Sequence, residues 1–360
     1  RNGRWNFWHT ATRRNDSAGA NRVYAVKPAL TEDQFLATVV AALGKPARRL
    51  RVGIGDDAAA WKPRRSQLSL ISTDALSDGV HFRSEFTTPQ ALGHKALAQS
   101  LSDIAAMGGK PVLAVVALGI TDVVDEPWAR AFYGGMSTLA AASGCAIAGG
   151  DIFRNKALTF AITAVGEARP SNIRLRSGAR PGDYACVTGP LGLAAGGLLL
   201  MQSANTRSGS GADEVLRRAY ELPVPRLREG QFFGSTRAVH ALMDISDGLS
   251  LDIARMARAS QADVTIDVAE LKIHKALARF SGAVDMILHG GDDYELLAAV
   301  DPRALPYVAK RFRARFKRAL EVVGRFEKGN GKVYVRRDGD RAELAPRGYD
   351  HFAAAHGNQI

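Results

Sequence analysis

Six short acidic stretches hold the residues best suited to chemistry. They are Gly53-Ile-Gly-Asp-Asp-Ala-Ala59, Ser72-Thr-Asp74, Leu101-Ser-Asp-Ile-Ala-Ala-Met-Gly108, Gly149-Gly-Asp151, Asp244-Ile-Ser-Asp-Gly248 and Gly290-Gly-Asp-Asp-Tyr-Glu-Leu296. Each reads as a turn at the end of an apolar segment. An Asp beside Gly at such a place can aim its carboxylate into a cleft without the backbone obstructing a ligand. One such turn means little, because Asp also favours surface turns by bonding local backbone. Six together, several with Ser or Thr beside the Asp, mean more. Converging carboxylates repel one another and call for a divalent cation to neutralise them. Mg²⁺ shared between carboxylates and the phosphates of a nucleotide is the chemistry this pattern fits.

Gly53-x-Gly55-x-x-Ala58 offers a rival reading, since it matches the dinucleotide fingerprint and Asp74 falls 19 residues after Gly55. That fingerprint seats a pyrophosphate on a bare helix N-terminus, where Asp56 and Asp57 would place two negative charges. A metal bridge removes the conflict and abandons the Rossmann logic. No G-x-x-x-x-G-K-[ST], G-x-S-x-G or H-E-x-x-H occurs, so a P-loop, a nucleophile elbow and a zincin helix are excluded. His81, in Asp78-Gly-Val-His-Phe82, can reach the cleft of Asp74, although a lone His is more often structural. His94, His240, His274 and His289 read as structural. Arg176, in Arg174-Leu-Arg-Ser-Gly178, can meet a phosphate or simply be solvated.

These residues need a scaffold of alternating strands and helices. Thr31-Glu-Asp-Gln34 is a capping box, followed by the apolar stripe Phe35, Leu36, Val39, Val40 and Leu43. Strands are expected at 50–54, 68–73, 111–118, 146–148 and 158–167, with helices at 91–107 and 128–143. Ser177-Gly-Ala-Arg-Pro-Gly-Asp183 is a turn-rich junction. Beyond it come a strand at 184–188, helices at 194–202, 213–220 and 226–242, strands at 263–267 and 295–300, and a β-rich end near 319–345. Residues 203–211 read as a mobile loop. With 360 residues, about two domains are expected. The division is an extension at 1–28, an N-terminal domain at 29–170 and a C-terminal domain at 171–356.

The formal charge of +12 invites a nucleic-acid reading, but its distribution argues against one. Residues 1–28 carry six basic residues and one acid, 29–300 carry 28 of each sign, and 301–347 carry 14 basic residues and six acids. The basicity belongs to the two ends, and the body that holds the acidic motifs is neutral. Residues 310–318 hold six Lys/Arg with Phe312 and Phe316 four apart, the pattern of a solvated amphipathic helix. No run of 18 apolar residues occurs, so neither a nucleic-acid nor a membrane partner is expected. Residues 1–28 lack the apolar core of a secretory signal and read as a disordered or atypical extension. Cys145 and Cys186 each lie in an apolar run without a C-x-x-C partner, as buried thiols of a reducing compartment do.

Taken together, the motifs resemble the thiamine-monophosphate kinase family, of the superfamily that includes aminoimidazole ribonucleotide synthetase, selenophosphate synthetase and a hydrogenase-maturation enzyme. The resemblance runs from about Thr31 to Phe352 and includes the closing Gly348-Tyr-Asp-His-Phe352. It implies a two-domain α/β (α+β) fold of the aminoimidazole ribonucleotide synthetase type, with N-terminal domains paired in a cytoplasmic homodimer. It implies ATP-dependent phosphorylation of thiamine monophosphate to thiamine diphosphate by direct in-line transfer. An already ionised phosphate acceptor needs no strong general base, so a site of metal-binding carboxylates suffices. By motif, Asp57, Ser72, Thr73, Asp74, Asp103, Asp151, Asp244 and Asp247 look like Mg²⁺ ligands. Tyr133, Gly150, Asp151, Arg176 and Ser246 look like ATP contacts, and His81, Asp292 and Tyr349 like thiamine-phosphate contacts. An aromatic face beside the cationic thiazolium suits Tyr349. Asp292 stands where the family commonly has Glu, which keeps the charge and shortens the reach by one methylene.

Relatives within the superfamily are separable by sequence. Selenophosphate synthetase needs a reactive Cys or selenocysteine near the N-terminus, and residues 1–60 contain no Cys. The hydrogenase-maturation enzyme needs a C-terminal Cys, whereas this chain ends His356-Gly-Asn-Gln-Ile360. Aminoimidazole ribonucleotide synthetase is the remaining alternative.

Overall fold

The computed structural model describes residues 31–43, 50–54, 57–203 and 211–348. The expected extension over 1–28, most of the expected loop over 203–211, and Tyr349 lie outside them. The first unit comprises α1 (Glu32–Leu43), β1 (Leu50–Val52), β2 (Ala60–Trp61), β3 (Leu68–Ser77), α2 (Pro89–Ala106), β4 (Lys110–Ile120), α3 (Glu126–Ser143), β5 (Ala146–Arg154) and β6 (Thr159–Ala168). Strands β3, β6, β4 and β5 form one sheet in that order, with only β4 and β5 parallel. The second unit comprises β7 (Tyr184–Val187), α4 (Leu193–Gln202), α5 (Gly211–Glu221), α6 (Leu227–Gly234), β8 (Val239–Ile245), α7 (Leu249–Ser260), β9 (Ala262–Asp267), α8 (Ala283–His289), β10 (Glu295–Val300), α9 (Leu305–Phe316), β11 (Glu321–Lys328), β12 (Val333–Arg337) and β13 (Asp340–Glu343). Its seven-stranded sheet runs β13-β12-β9-β11-β7-β10-β8.

Local sequence signals explain the helix ends. Thr31 and Gln34 bond each other's backbone N–H reciprocally, which closes the expected capping box. Thr88 caps α2 by accepting the Ala91 N–H at 3.2 Å, with Pro89 opening the helix. Asp125 caps α3 in the same way, and Gly144 ends it at φ 68°.

Helix α2 joins the two units. Leu97, Leu101 and Ile104 are buried on it, in a core that also takes in Phe160 and Ile162 of β6 and Phe232, Leu242 and Leu296 of the second unit. Thirteen of the eighteen residues of α2 are buried, and the polar ones among them, Lys95, Ser100 and Ser102, each have a hydrogen-bond partner. Its approach to α3 is close enough that a Cβ on Gly93 would meet the Phe132 carbonyl oxygen at 1.9 Å. The opposite face of the first sheet is covered at one end by β1 and β2, through Leu50, Ala59 and Trp61 packed on Leu113 and Val165. Farther along that face Ile71 is 72% exposed.

Several sequence expectations need correction. Ser72-Thr-Asp74 is not a turn but the middle of β3, Asp103 is inside α2, and Gly149-Gly-Asp151 is inside β5. The helix expected over 226–242 ends at Gly234, and Val239–Ile245 is a strand. Pairing with β10 accounts for this, because β8 is an apolar strand buried along nearly its whole length. Helices α7 and α8 were not anticipated. Among the described residues β1 is followed by β2 and not by a helix, which counts against the dinucleotide-fingerprint alternative. The Phe312/Phe316 expectation holds: both rings pack on Phe232, and Phe312 is fully buried. Among the described residues, no helix is long and apolar enough to cross a membrane.

Candidate active site

Alternation along β3 decides which residues can meet α2. Side chains two apart share a face, so Ser72 and Asp74 turn towards the helix and Thr73 turns away. Ser72 Oγ donates a short hydrogen bond to Asp103 Oδ2 on α2. One turn earlier, Ser100 and Gln99 favour the ionised form of Asp74. From the second unit, Asp244 arrives at the end of β8 and accepts a hydrogen bond from Ser102 Oγ at 2.7 Å. Three carboxylates from β3, α2 and β8 therefore crowd one place.

The crowding is written in their protonation. Burial and then the neighbouring Asp103 push Asp74 up to about 6. Burial and Asp103 again push Asp244 up to about 8. Asp103 is itself raised by burial, which Ser72 and the Arg176 guanidinium oppose without reversing. Asp74 Oδ2 is buried with no hydrogen-bond partner. An orphaned carboxylate oxygen among repelling carboxylates is the environment that a cation relieves. Among the described residues, no three His, Cys, Asp or Glu side chains are grouped so as to hold a metal by themselves. The donor set instead suits an ion bound by one or two carboxylates and completed by phosphate oxygens and water, which is the habit of Mg²⁺.

Around this centre the second unit builds a loop. Asp252, in the first turn of α7, accepts the N–H groups of Ser246 and Asp247, each at 3.0 Å. Arg255 bridges Asp247 at 2.5 Å and Asp252 at 2.6 Å. A Cβ on Gly348 would meet the Asp247 carbonyl oxygen at 2.3 Å, so the residue before Tyr349 lies against this loop. Ser250 Oγ fixes that segment by donating to the Arg347 carbonyl at 2.6 Å. Arg176 lies in a single 3-10 turn, exposed, close enough to Asp103 to stabilise its anion.

The remaining expected residues divide. Ser77 N–H donates to His81 Nδ1 at 3.1 Å, which leaves the proton of a neutral His81 on Nε2. Asp292 Oδ2 is paired with Lys95 Nζ at 2.8 Å, and Asp292 Oδ1 accepts from Tyr294 Oη at 2.9 Å. Asp57 is exposed between β1 and β2. Thr73 and Asp151 face the other side of the first sheet. Thr73 accepts from Thr163 Oγ1 at 3.1 Å. Asp151 is aligned through Ala117 and Ala161 with Ala75, three strand spacings or about 14 Å away. One chain does not bring these two side chains to the Asp74–Asp103–Asp244 cluster. Gly150 presses on β4 so tightly that a Cβ would meet the Val116 carbonyl oxygen at 1.9 Å. Tyr133 is buried on α3 with its ring against Phe35 and Phe132, and its phenol is raised by burial.

Lys95, Ser102, Asp252, Arg255 and Tyr294 were missed by the sequence reading. The one Lys in the expected helix over 91–107 was the available signal for Lys95. Ser102 and Tyr294 lie inside two of the acidic motifs, beside Asp103 and two residues after Asp292, and nothing local marks Asp252 or Arg255.

Residues 55–168 match the family model "AIR synthase related protein, N-terminal domain", and residues 180–336 match "AIR synthase related protein, C-terminal domain". The thiamine-monophosphate kinase of Bacillus subtilis (strain 168) is 32% identical over 304 residues, 84% of this chain and 93% of that protein. The crystal structure of thiamine-monophosphate kinase from Stenotrophomonas maltophilia K279a superposes with a TM-score of 0.75 at 34% identity, over 86% of this chain and 96% of that one. A structure described as AaThiL complexed with AMPPCP and TMP superposes with a TM-score of 0.70 at 30% identity, over 83% and 92% of the two chains.

Proposed function

We propose, because this chain belongs to the thiamine-monophosphate kinase family, that it phosphorylates thiamine monophosphate to thiamine diphosphate with ATP. The observation that carries the reading is the carboxylate cluster formed by Asp74, Asp103 and Asp244. It draws on both units, and its mutual repulsion asks for a cation. A structural relative covering 83% of this chain was solved with AMPPCP and TMP together.

Ser72, Asp74, Asp103, Asp244 and Asp247 would hold Mg²⁺, with Asp57 from the loop after β1. Bound there, Mg²⁺ supplies charge neutralisation on the transferring phosphoryl group. The protein's own share is positioning. Arg176, Ser246 and Gly150 would orient the ATP phosphates, with Tyr133 as a further nucleotide contact. His81, Asp292 and Tyr349 would orient thiamine monophosphate, His81 by donating from Nε2. The acceptor is a phosphate already ionised at neutral pH, so no residue need remove a proton to create the nucleophile.

Thr73 and Asp151 bear on assembly. A second copy packed on the open face of the first sheet would cover Ile71, Thr73 and Asp151 and make a homodimer. The exposed Ile71 on that face supports this arrangement, and a monomer in sedimentation at micromolar concentration would remove it. The buried, free Cys145 and Cys186 suit a cytoplasmic setting.

The test of the activity is ADP release with thiamine monophosphate, ATP and Mg²⁺. Turnover is expected with all three and not when Mg²⁺ is replaced by a chelator. No turnover with this acceptor, alongside turnover with another, would sink the reading.

A further inference from the structure

Lys95 is the most deeply buried cation near the site, and the reaction as described above does not use it. Its side chain is 3% exposed on α2, among Leu92, Ala96, Leu97 and Ala98. Its Nζ lies 3.4 Å above the ring of Tyr220 and 2.8 Å from Asp292 Oδ2. Burial alone pulls the ammonium down, but Asp292 and Tyr220 outweigh it, and the net shift is upward. Lys95 is therefore a fixed charge.

Its partner is different. Asp292 is 32% exposed, so the pair is buried at one end and open at the other. From beneath, Lys95 holds Oδ2 and the Tyr294 hydroxyl holds Oδ1 at 2.9 Å. A carboxylate has about four acceptor positions, and these two donors leave the outward ones for a ligand. The backbone is constrained as well. Asp292 and Tyr294 both take left-handed conformations, at φ 67° and 48°. Their N–H groups are held by the carbonyls of Ser246 and Ile245, each at 2.8 Å. Left-handed backbone at non-Gly residues persists where the surroundings over-determine it, and that is common at ligand-binding positions. For stability alone, apolar residues in place of the whole Lys95–Asp292 pair would serve about as well, since a buried ion pair is often close to neutral against a well-packed apolar replacement.

We infer that Lys95, seconded by Tyr294, is a positioning residue that fixes the outward face of the Asp292 carboxylate for the cationic part of thiamine monophosphate. This deepens the reading of Asp292 as a substrate contact and rests on it. Lys95 touches neither substrate nor metal and acts only through Asp292. The class of ligand follows from the charge: an acceptor-only face, neutralised from behind, accepts N–H donors or a delocalised cation without the desolvation cost of a bare carboxylate.

The test is a double-mutant cycle on the full chain, with steady-state kinetics for both substrates. Lys95→Met and Asp292→Asn should each raise KM for thiamine monophosphate about tenfold, the loss expected when a charge-assisted contact is misaligned. KM for ATP should stay within about twofold of wild type. In the Asp292→Asn background, Lys95→Met should add less than about a further twofold, because residues acting as one unit are not additive. Multiplying effects in the double variant, or an equal rise in KM for ATP, would overturn the positioning role. A KM for thiamine monophosphate unmoved by Asp292→Asn would overturn the substrate-contact reading instead. Should Lys95→Met fail to fold, the near-isosteric Tyr294→Phe takes its place in the cycle. It should raise KM for thiamine monophosphate about threefold alone and leave it unchanged beside Asp292→Asn. Wild type without turnover of thiamine monophosphate overturns both readings together.

Discussion

Glu295 and Asp244 are buried carboxylates on adjacent antiparallel strands, with Leu296 directly opposite Asp244. The fold treats them in opposite ways. Glu295 accepts from Arg226 through both oxygens, takes the Thr188 hydroxyl at 2.5 Å, and has Arg318 3.6 Å away. Its charge is answered within the chain. Asp244 has one serine hydroxyl and three carboxylate neighbours, Asp103, Asp252 and Asp74, and burial together with them pushes it up to about 8. Residue type and depth are nearly the same in the two cases. Satisfaction differs, and it separates a carboxylate that holds the fold from one that waits for a ligand.

Three experiments bear on that contrast. The largest effect should come from Asp103→Asn, at the centre of the unsatisfied cluster. Turnover should fall about a thousandfold, or roughly 4 kcal/mol in barrier, while the thermal midpoint holds or rises as repulsion is relieved. A variant that keeps most of the wild-type rate would take Asp103 out of the site. Glu295→Gln should do the reverse. Leaving the partly buried Arg226 without the carboxylate it pairs with should cost about 3 kcal/mol of stability, read from denaturant unfolding. Turnover per folded molecule should hardly change, and a collapse of turnover at unchanged stability would erase the distinction. The smallest effect is that of Mg²⁺ on the protein without nucleotide. At about ten times its dissociation constant it should add about 1.4 kcal/mol of stability to wild type. The gain should persist in Glu295→Gln and vanish in Asp103→Asn. Equal gains in all three proteins would point to an ion bound elsewhere.

Part of the basic charge is answered locally. In the C-terminal stretch, Arg318, Lys332, Arg336 and Arg341 pair with Glu229, Glu343, Asp267 and Glu327. Such pairs are mostly surface contacts of small individual worth. Phe312 anchors α9 inward against Phe232.

Much of the site was legible because its signals are local. The capping box at Thr31 and the order of the acidic motifs depend on neighbours within a few residues, whereas three of those motifs, read as turns, lie inside β3, α2 and β5. What was not legible depends on facing. Ser72, Thr73 and Asp74 read as one unit, yet the strand pleat sends the middle residue to the opposite side of the sheet. The segment over 226–242 reads as a helix, yet an edge of β10 was available for Val239–Ile245 to pair with. Local propensity lost to tertiary pairing there.

The amino-acid sequence by itself determined the family, the chemistry open to it and the absence of a P-loop, because these depend on residue types in a fixed order. Only the tertiary structure decided which carboxylates are answered and which are not. Ser102 and Asp244 are 142 residues apart in the chain, and Lys95 and Asp292 are 197 apart. Burial and pairing across such separations exist only once α2 is packed between the two units. The pKa of Asp244 and the orientation of Asp292 are therefore properties of that packing rather than of any motif.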